Sequence, residues 1–148
     1  MIIRPATPAD LPAMESVIAA TGLFPPDLLG GMIAGYLAGG SAERWLVTDG
    51  VAGLAYVAPE RMTDGTFNLL LIAVDPARQG QGIGAALVGA VERVLAAQGG
   101  RLLLVETSGL PEFAAPCGFY NRLGFVETAR IPAFYAAGED KLIFCKPL

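Results

Sequence analysis

The sequence contains no histidine and only two cysteines, Cys117 and Cys145, among its 148 residues. Without an imidazole, the chain has no Ser-His-Asp or Cys-His catalytic arrangement and no histidine-based metal site. Two cysteines are too few for a disulfide framework, and with no histidine to activate Cys117, packing is its expected role. Any proton transfer that this chain catalyses must therefore use carboxylates, tyrosine, a thiol or water.

Charged residues and long apolar runs are also scarce. Charged residues make up 16% of the chain and hydrophobic residues 53%, and the net charge is −4. This composition excludes a disordered chain, and the acidic balance argues against nucleic-acid binding. It mildly favours amine ligands, although solubility alone explains it more simply. No apolar run approaches the roughly 20 residues that span a bilayer and no signal peptide is visible, so we expect a cytoplasmic protein without membrane contacts.

The order of apolar patterns and turn residues predicts about seven strands and four helices. The predicted strands are Met1 to Arg4, Trp45 to Thr48, Val51 to Val57, Thr66 to Val74, Arg101 to Glu106, Phe125 to Arg130 and Lys141 to Lys146. The predicted helices begin at Thr7 or Asp10, at Pro25-Pro26, at Ile83 and at Pro111, and end near Ala20, Leu37, Gly99 and Leu123. Asp49-Gly50 predicts a hairpin turn, and the long strand Thr66 to Val74 is expected to be buried on both faces. A single α/β domain over residues 1–148, a mixed sheet flanked by helices, follows from this order.

The segment from Leu69 to Leu95 is the most informative part of the chain. An apolar strand leads into a turn that holds Gly80, Gly82 and Gly84, and an amphipathic helix follows. Glycines let the backbone approach a ligand closely, and a helix start offers free N–H groups and a positive dipole end. The pattern therefore predicts a site for a phosphate-bearing ligand.

Two other phosphate-binding loops compete for this turn. A Walker A loop needs Lys-Ser/Thr at the helix start, where positions 85–86 hold two alanines. The dinucleotide fingerprint fits residues 80–85, and Glu106 closes the next strand near the expected distance. However, residues 75–79 separate the strand from the first glycine, and too few strand–helix units follow for a full dinucleotide fold. A dinucleotide-binding oxidoreductase thus remains the weaker alternative.

A second motif decides between these alternatives. The sequence from Phe119 to Phe125, FYNRLGF, follows the Gln79-x-x-Gly82-x-Gly84 turn by about forty residues. The two motifs, in this order, resemble the acetyl-CoA turn and the late helix-to-strand junction of the GNAT acetyltransferases. The element order over the whole chain matches that fold as well. Gln79 stands where the family has Arg or Gln, and residues 130–141 also resemble tails of GNAT members of unassigned substrate.

The resemblance implies transfer of an acetyl group from acetyl-CoA to a primary amine of a small molecule or peptide, by direct attack in a ternary complex. Backbone N–H groups from Gln79 to Ala85 would hold the pyrophosphate, and the pantetheine arm would pair with the strand near Ala73 and Val74. The N–H of Val74 would polarise the thioester carbonyl. The cofactor-binding residues expected from the resemblance are Ile72, Ala73, Val74, Gln79, Gly80, Gln81, Gly82, Ile83, Gly84, Ala85 and Phe119.

The resemblance places Tyr120 at the family's general-acid position, where its phenol would protonate the departing thiolate. Glu106 and Glu60 are the candidate general bases, although each also suits a solvated or structural role, and an amine that arrives neutral needs no base. Five side chains are candidates for the acceptor side, with core packing expected for most: Asn68, Trp45, Tyr56, Phe134 and Tyr135. Three more, from the first two helices, either form an apolar pocket or pack against the sheet: Phe24, Leu28 and Met32.

A non-catalytic acyl-CoA-binding domain is the other alternative function, and the presence of Tyr120 argues against it. The sequence does not distinguish among amino acid, polyamine, aminoglycoside and protein N-terminus as acceptor. A homodimer is compatible with the resemblance, and no sequence feature requires one.

Overall fold

The computed structural model describes residues 1–148, and its strands form one seven-stranded sheet in the order β1-β2-β3-β4-β5-β7-β6. The strands are β1 Ile3–Pro5, β2 Arg44–Thr48, β3 Gly53–Pro59, β4 Thr66–Val74, β5 Leu102–Ser108, β6 Val126–Ala136 and β7 Glu139–Pro147. All neighbours are antiparallel except β4 and β5. The prediction of a mixed sheet of about seven strands is confirmed.

Four α-helices cover the sheet, as predicted: α1 Leu11–Thr21, α2 Leu29–Leu37, α3 Ile83–Ala97 and α4 Ala114–Arg122. Short 3-10 turns that begin at Pro8, Pro26 and Pro111 lead into α1, α2 and α4. Proline suits a helix start because its φ is already helical and it has no N–H group that needs a partner. Pro116 lies in the first turn of α4, where it removes no helical hydrogen bond. No helix in the structure combines the length and the apolar character needed to cross a bilayer.

The sheet separates two hydrophobic cores. The first contains 17 buried residues, six of them from α3, and the second contains 12, drawn from α1, α2 and the facing strands. Met14, Val17 and Ile18 are buried in α1, and Leu87 and Val91 are buried in α3. These residues recur at the spacing of three and four positions that is typical of an amphipathic helix.

Strand β4 contains a β-bulge at Leu70. Tyr56 pairs with Leu71 and Val57 pairs with Leu69, so Leu70 has no partner on β3. Because of the extra residue, side chains two positions apart across the bulge point to opposite faces of the sheet. Leu69 accordingly packs into the first core and Leu71 into the second. Leu70 itself is 49% exposed, and the expectation that this strand is buried on both faces is wrong at that position.

The turn between β2 and β3 is longer than the predicted two-residue hairpin. Four residues, 49–52, connect the strands, and β3 begins at Gly53 rather than Val51. The Thr48 hydroxyl accepts hydrogen bonds from the N–H groups of Ala52 and Gly53 at 2.8 and 3.2 Å. These bonds stabilise the wider turn, in which Val51 has a φ of 49°.

The last two strands also extend well beyond their predicted ends. The prediction ended β6 at Arg130, whereas it continues to Ala136, and β7 begins at Glu139 rather than Lys141. Strand β6 lies at the edge of the sheet, and all of its residues are exposed. Such a strand has no buried face, so its sequence has no apolar alternation to reveal it.

An ion pair fixes the start of the fold. The Arg4 guanidinium donates two hydrogen bonds to the Asp10 carboxylate, at 2.8 and 2.9 Å, and the Thr7 N–H donates a third at 2.8 Å. These donors, Arg4 first, hold the pKa of Asp10 well below its usual range. A carboxylate with a lowered pKa stabilises the folded state above the pKa of the unfolded chain, and that contribution decreases as the pH falls below about 4.

We therefore expect Asp10→Asn to lower the free energy of unfolding by about 1–2 kcal/mol at pH 7 and by much less at pH 3. Urea unfolding at the two pH values measures the difference. Asp49→Asn is the matched control, because Asp49 meets Arg4 at 3.3 Å from a largely exposed position. An Asp10→Asn effect that does not change with pH would contradict the ion pair's role.

Candidate active site

Strands β4 and β5 separate part of the way along the sheet. They pair only between residues 66–68 and 102–104, although β4 continues to Val74 and β5 to Ser108. A cavity of about 780 Å³ lies where they separate, and residues of α3, α4 and the loop before α3 complete its wall. A ligand in this cavity therefore lies against an open strand edge in the middle of the sheet.

Alternate residues of β4 direct their backbone groups to opposite sides of the strand. The Asp75 N–H donates to the Ala52 carbonyl, and the Ala73 carbonyl lies on the side of Gly53. The N–H and C=O groups of Ile72 and Val74 therefore face the cavity. Ile72 and Val74 line it, as the sequence predicted, whereas Ala73 does not, because its backbone pairs with β3 and its side chain is buried.

The glycine-rich turn forms the end of the cavity next to α3. Gly80 and Gly82 have φ angles of 78° and 79°, which glycine adopts without steric cost. The first hydrogen bond of the helix runs from Ala86 to Gly82, so the N–H groups of residues 80–85 have no partner within the chain. Together with the positive end of the 15-residue α3, these six donors suit an anionic group such as a pyrophosphate.

Most of the predicted turn residues contribute to this wall: Gln79, Gly80, Gly82, Ile83, Gly84 and Ala85. Phe119 also lines the cavity and packs against the turn, because a Cβ on Gly84 would approach its Cζ to 3.2 Å. Gln81 does not line the cavity, because its side chain accepts a hydrogen bond from Arg78 at 3.0 Å.

Two arginines on the cavity wall were missed from the sequence. Arg78 lies directly before the turn, and Arg122 ends α4. Their guanidinium groups suit phosphate oxygens. Arg78 could have been found from its position beside Gln79, whereas Arg122 reaches the site only because α4 packs across the cavity.

Tyr120 lines the cavity and packs against two neighbouring aromatic rings. It is 6% exposed, and its ring lies edge-on to the rings of Phe119 and Phe125, with centroids 5.2 and 5.6 Å away. Burial raises the pKa of Tyr120 to about 12, so the phenol remains protonated at neutral pH. Burial also raises the pKa of the nearby Cys117 thiol. Cys117 is therefore protonated at neutral pH, as expected for a packing residue rather than a nucleophile.

The two candidate bases have different surroundings. Glu106 lines the cavity, and one of its oxygens lies 3.2 Å from Nζ of Lys141. Glu60 does not line the cavity: it lies in the loop after β3, where the Asn68 side chain donates to it at 2.9 Å. The structure thus brings Glu106 and Tyr120 together, and it does not bring Glu60 to them.

Some residues expected on the acceptor side belong to the core. Trp45 and Asn68 are buried, and the Trp45 ring stacks on Tyr56 at 4.1 Å. Core packing was expected for most of these residues. Phe134 and Tyr135 are instead exposed on the edge strand β6.

The segment around α2 also differs from expectation. Phe24 packs against the second core, whereas Leu28 and Met32 are exposed and do not line the cavity. Leu23, which the sequence reasoning did not single out, lines the cavity instead. It belongs to the loop after α1, where no periodic pattern marks a functional position.

The sequence profile of the acetyltransferase (GNAT) domain matches residues 41–127, which include the whole of β4, the glycine-rich turn and α4. A comparison with curated protein sequences finds no significant match. The sheet contains one parallel pair, whereas a dinucleotide-binding fold is built on a parallel sheet, so the oxidoreductase alternative has no support in the topology.

Solved structures give the same result. A GNAT-family protein from Desulfovibrio desulfuricans is 35% identical, with a TM-score of 0.90 over 99% of this chain and 98% of that one. The ribosomal-protein-S18-alanine N-acetyltransferase from Escherichia coli is 26% identical, with a TM-score of 0.76 over 99% and 92%. An aminoglycoside 6'-N-acetyltransferase complexed with coenzyme A, 17% identical, shares the fold with a TM-score of 0.81 over 99% and 97%. The profile match and the first of these structures show that the chain belongs to the GNAT family of acetyltransferases.

Proposed function

We propose that residues 1–148 form one N-acetyltransferase domain that moves the acetyl group of acetyl-CoA to a primary amine of a small molecule or peptide, by direct attack in a ternary complex. One observation carries this proposal. A turn with six free N–H groups, an open strand edge and a buried, protonated tyrosine share a single cavity. GNAT enzymes use acetyl-CoA. The turn suits its pyrophosphate, the open strand edge suits its extended amide-bearing arm, and the tyrosine suits the sulfur of its thioester.

The chain offers binding groups for each part of acetyl-CoA. The N–H groups of residues 80–85 and the guanidinium groups of Arg78 and Arg122 suit the pyrophosphate. The backbone groups of Ile72 and Val74 suit the amides of the pantetheine arm, which would pair with β4 like an added strand. This arrangement relies on backbone rather than side chains, so the sequence indicates it only through its glycines.

The same residues serve the chemistry. When bound, acetyl-CoA supplies an acetyl thioester, and the acceptor nitrogen attacks its carbonyl carbon as the carbon–sulfur bond breaks. An N–H of β4, from Ile72 or Val74, stabilises the negative charge that develops on the carbonyl oxygen. The phenol of Tyr120 donates its proton towards the departing sulfur. Because a phenol with a pKa of about 12 is a weaker acid than an ordinary thiol, Tyr120 acts while that bond breaks and regains its proton from the acceptor nitrogen.

Glu106 is the proposed acceptor, directly or through water, of the proton that an ammonium group loses before its nitrogen attacks. The proton that the nitrogen loses after attack returns to Tyr120. Glu106 is the one carboxylate that lines the cavity between β4 and β5, which we call the reaction cavity. Its ion pair with Lys141 leaves the second carboxylate oxygen free for this role. Glu60 is not proposed, because it lies outside the cavity.

Ligand-induced stabilisation tests the cofactor assignment. We expect acetyl-CoA and coenzyme A, each at about 100 times its dissociation constant, to stabilise the fold by roughly 2.7 kcal/mol. NAD at the same concentration is expected to leave the melting temperature unchanged. Thermal unfolding with the three ligands in parallel provides the measurement. If NAD stabilises the protein and neither CoA species does, the acetyltransferase proposal is wrong.

Turnover separates an enzyme from a non-catalytic acyl-CoA-binding domain. Release of free thiol from acetyl-CoA, measured with a panel of primary amines, is expected to exceed the amine-free rate. Stabilisation by acetyl-CoA without acetylation of any amine would favour the non-catalytic alternative.

A further inference from the structure

A second cavity, of about 510 Å³, lies beside the first. The two share four lining residues, among them Glu106 and Thr107 of β5. Tyr135 and Glu139, on the two strands of the β6–β7 hairpin, line only the second cavity. An acceptor whose amine reaches Glu106 in the reaction cavity therefore has room to extend towards the hairpin.

The charge in this second cavity is negative. Glu106 and Glu139 are its only charged lining residues, and Lys141 pairs with Glu106 at 3.2 Å. Glu139 has no ion-pair partner anywhere in the chain. Both carboxylates also raise the pKa of Tyr135, after burial as the larger cause, so both lie near its phenol. The negative charge that remains uncompensated is at Glu139.

The rim of the second cavity is apolar and open to solvent. Leu23, Phe113 and Tyr135 come from three separate segments, and each is more than one third exposed. Single exposed apolar side chains are common, but these three surround one cavity, and contiguous exposed apolar side chains are typical of ligand-binding grooves. The Lys141 ammonium already lies over the Tyr135 ring, with Nζ 6.0 Å from the ring centroid. The rim therefore offers apolar contacts for methylene groups, and Glu139 is the group that attracts a cation. The combination suits a ligand in which apolar carbon separates two positive charges.

Resting on the acetyltransferase function proposed above, we propose that the acceptor carries a second cationic group, as in an alkyl diammonium or oligoamine. Glu139 binds the distal cation, the ring of Tyr135 packs beside it, and the reacting amine lies at Glu106. The distal cation neutralises the carboxylate that the fold leaves unpaired, and the methylene groups between the two nitrogens contact Leu23 and Phe113.

Two amines of equal length test this inference. The enzyme is expected to acetylate 1,4-diaminobutane with a kcat/KM at least tenfold above that for butylamine. Glu139→Gln is expected to reduce this ratio about threefold to fivefold, the upper end of what a partly exposed charge pair contributes. Asp64→Asn is the matched control: it removes one negative charge from an exposed loop outside both cavities and is expected to change the ratio less than twofold. A ratio near one, or one unchanged by Glu139→Gln, would overturn the inference.

A binding measurement separates failure of this inference from failure of the proposed function. Isothermal titration of 1,4-diaminobutane into the protein saturated with coenzyme A reports on the cation site without turnover. Binding that weakens in Glu139→Gln, with no acetylation of any amine, would support the cation site and overturn the proposed function. Acetylation of butylamine or of an uncharged peptide's N-terminus at least as fast as the diamine would support the function and overturn the cation site.

Discussion

Replacing Tyr120 with phenylalanine is expected to lower kcat about 100-fold, the lower end of what a positioned acid contributes. The affinity for acetyl-CoA should stay within twofold, because the ring and its contacts with Phe119 and Phe125 are kept. In the proposed mechanism, the variant loses only the proton that the hydroxyl would donate to the departing sulfur. Steady-state kinetics and calorimetric titration of acetyl-CoA measure the two quantities separately.

Tyr36→Phe is the matched control for this experiment. The Tyr36 hydroxyl donates to the Ala6 carbonyl at 2.9 Å, away from the reaction cavity, so its loss should cost about 1 kcal/mol of stability without changing kcat. Since the pKa of Tyr120 is about 12, no change in rate below pH 11 should depend on its hydroxyl. An unchanged kcat in Tyr120→Phe would show that the thiolate departs without this proton.

Gly82→Ala should weaken acetyl-CoA binding at least tenfold and destabilise the protein by about 1–2 kcal/mol. Gly82 has a φ of 79°, and no atom lies within 4 Å of the position that a Cβ would occupy. The penalty is therefore conformational rather than steric: an alanine strains the turn or shifts it, and a shift misaligns the N–H groups of residues 80–85. Calorimetric titration and urea unfolding give the two numbers.

Gly89→Ala provides the control within the same helix. Gly89 lies inside α3, and a Cβ there would approach only the flexible end of Arg93, at 3.4 Å. In a helix interior, alanine is favoured over glycine by about 0.5–1 kcal/mol, so this variant should be slightly more stable and bind acetyl-CoA normally. Full affinity in Gly82→Ala would mean that the turn is structural and binds no phosphate.

Local sequence patterns predicted most of the fold. Periodic apolar residues predicted the helices α1 and α3, and the bounds of β4 were predicted correctly. The errors occurred where long-range packing decides the structure. The outer half of β6 has no buried face to show in its sequence, and the bulge at Leu70 is visible only in the register between β3 and β4.

In the candidate site, the residues that belong to short sequence motifs were predicted, and those brought in by long-range contacts were not. The glycine-rich turn and Tyr120 carry short motifs, so they were found, and the structure brings them to one cavity. The ion pair between Glu106 and Lys141 joins residues 35 positions apart. The second cavity likewise draws on the loop after α1, the turn before α4 and the last hairpin. No local pattern encodes contacts of this kind, because they arise only when the sheet assembles.

The bulge at Leu70 has a consequence for how the protein can diversify. Leu69 and Leu71, on either side of it, pack into different cores, so substitutions at these positions would destabilise the fold. Leu70 is exposed on the cavity wall and belongs to neither core. Residue 70 therefore does not contribute to core packing. We expect that its side chain can be replaced, and ligand preference altered, without loss of stability.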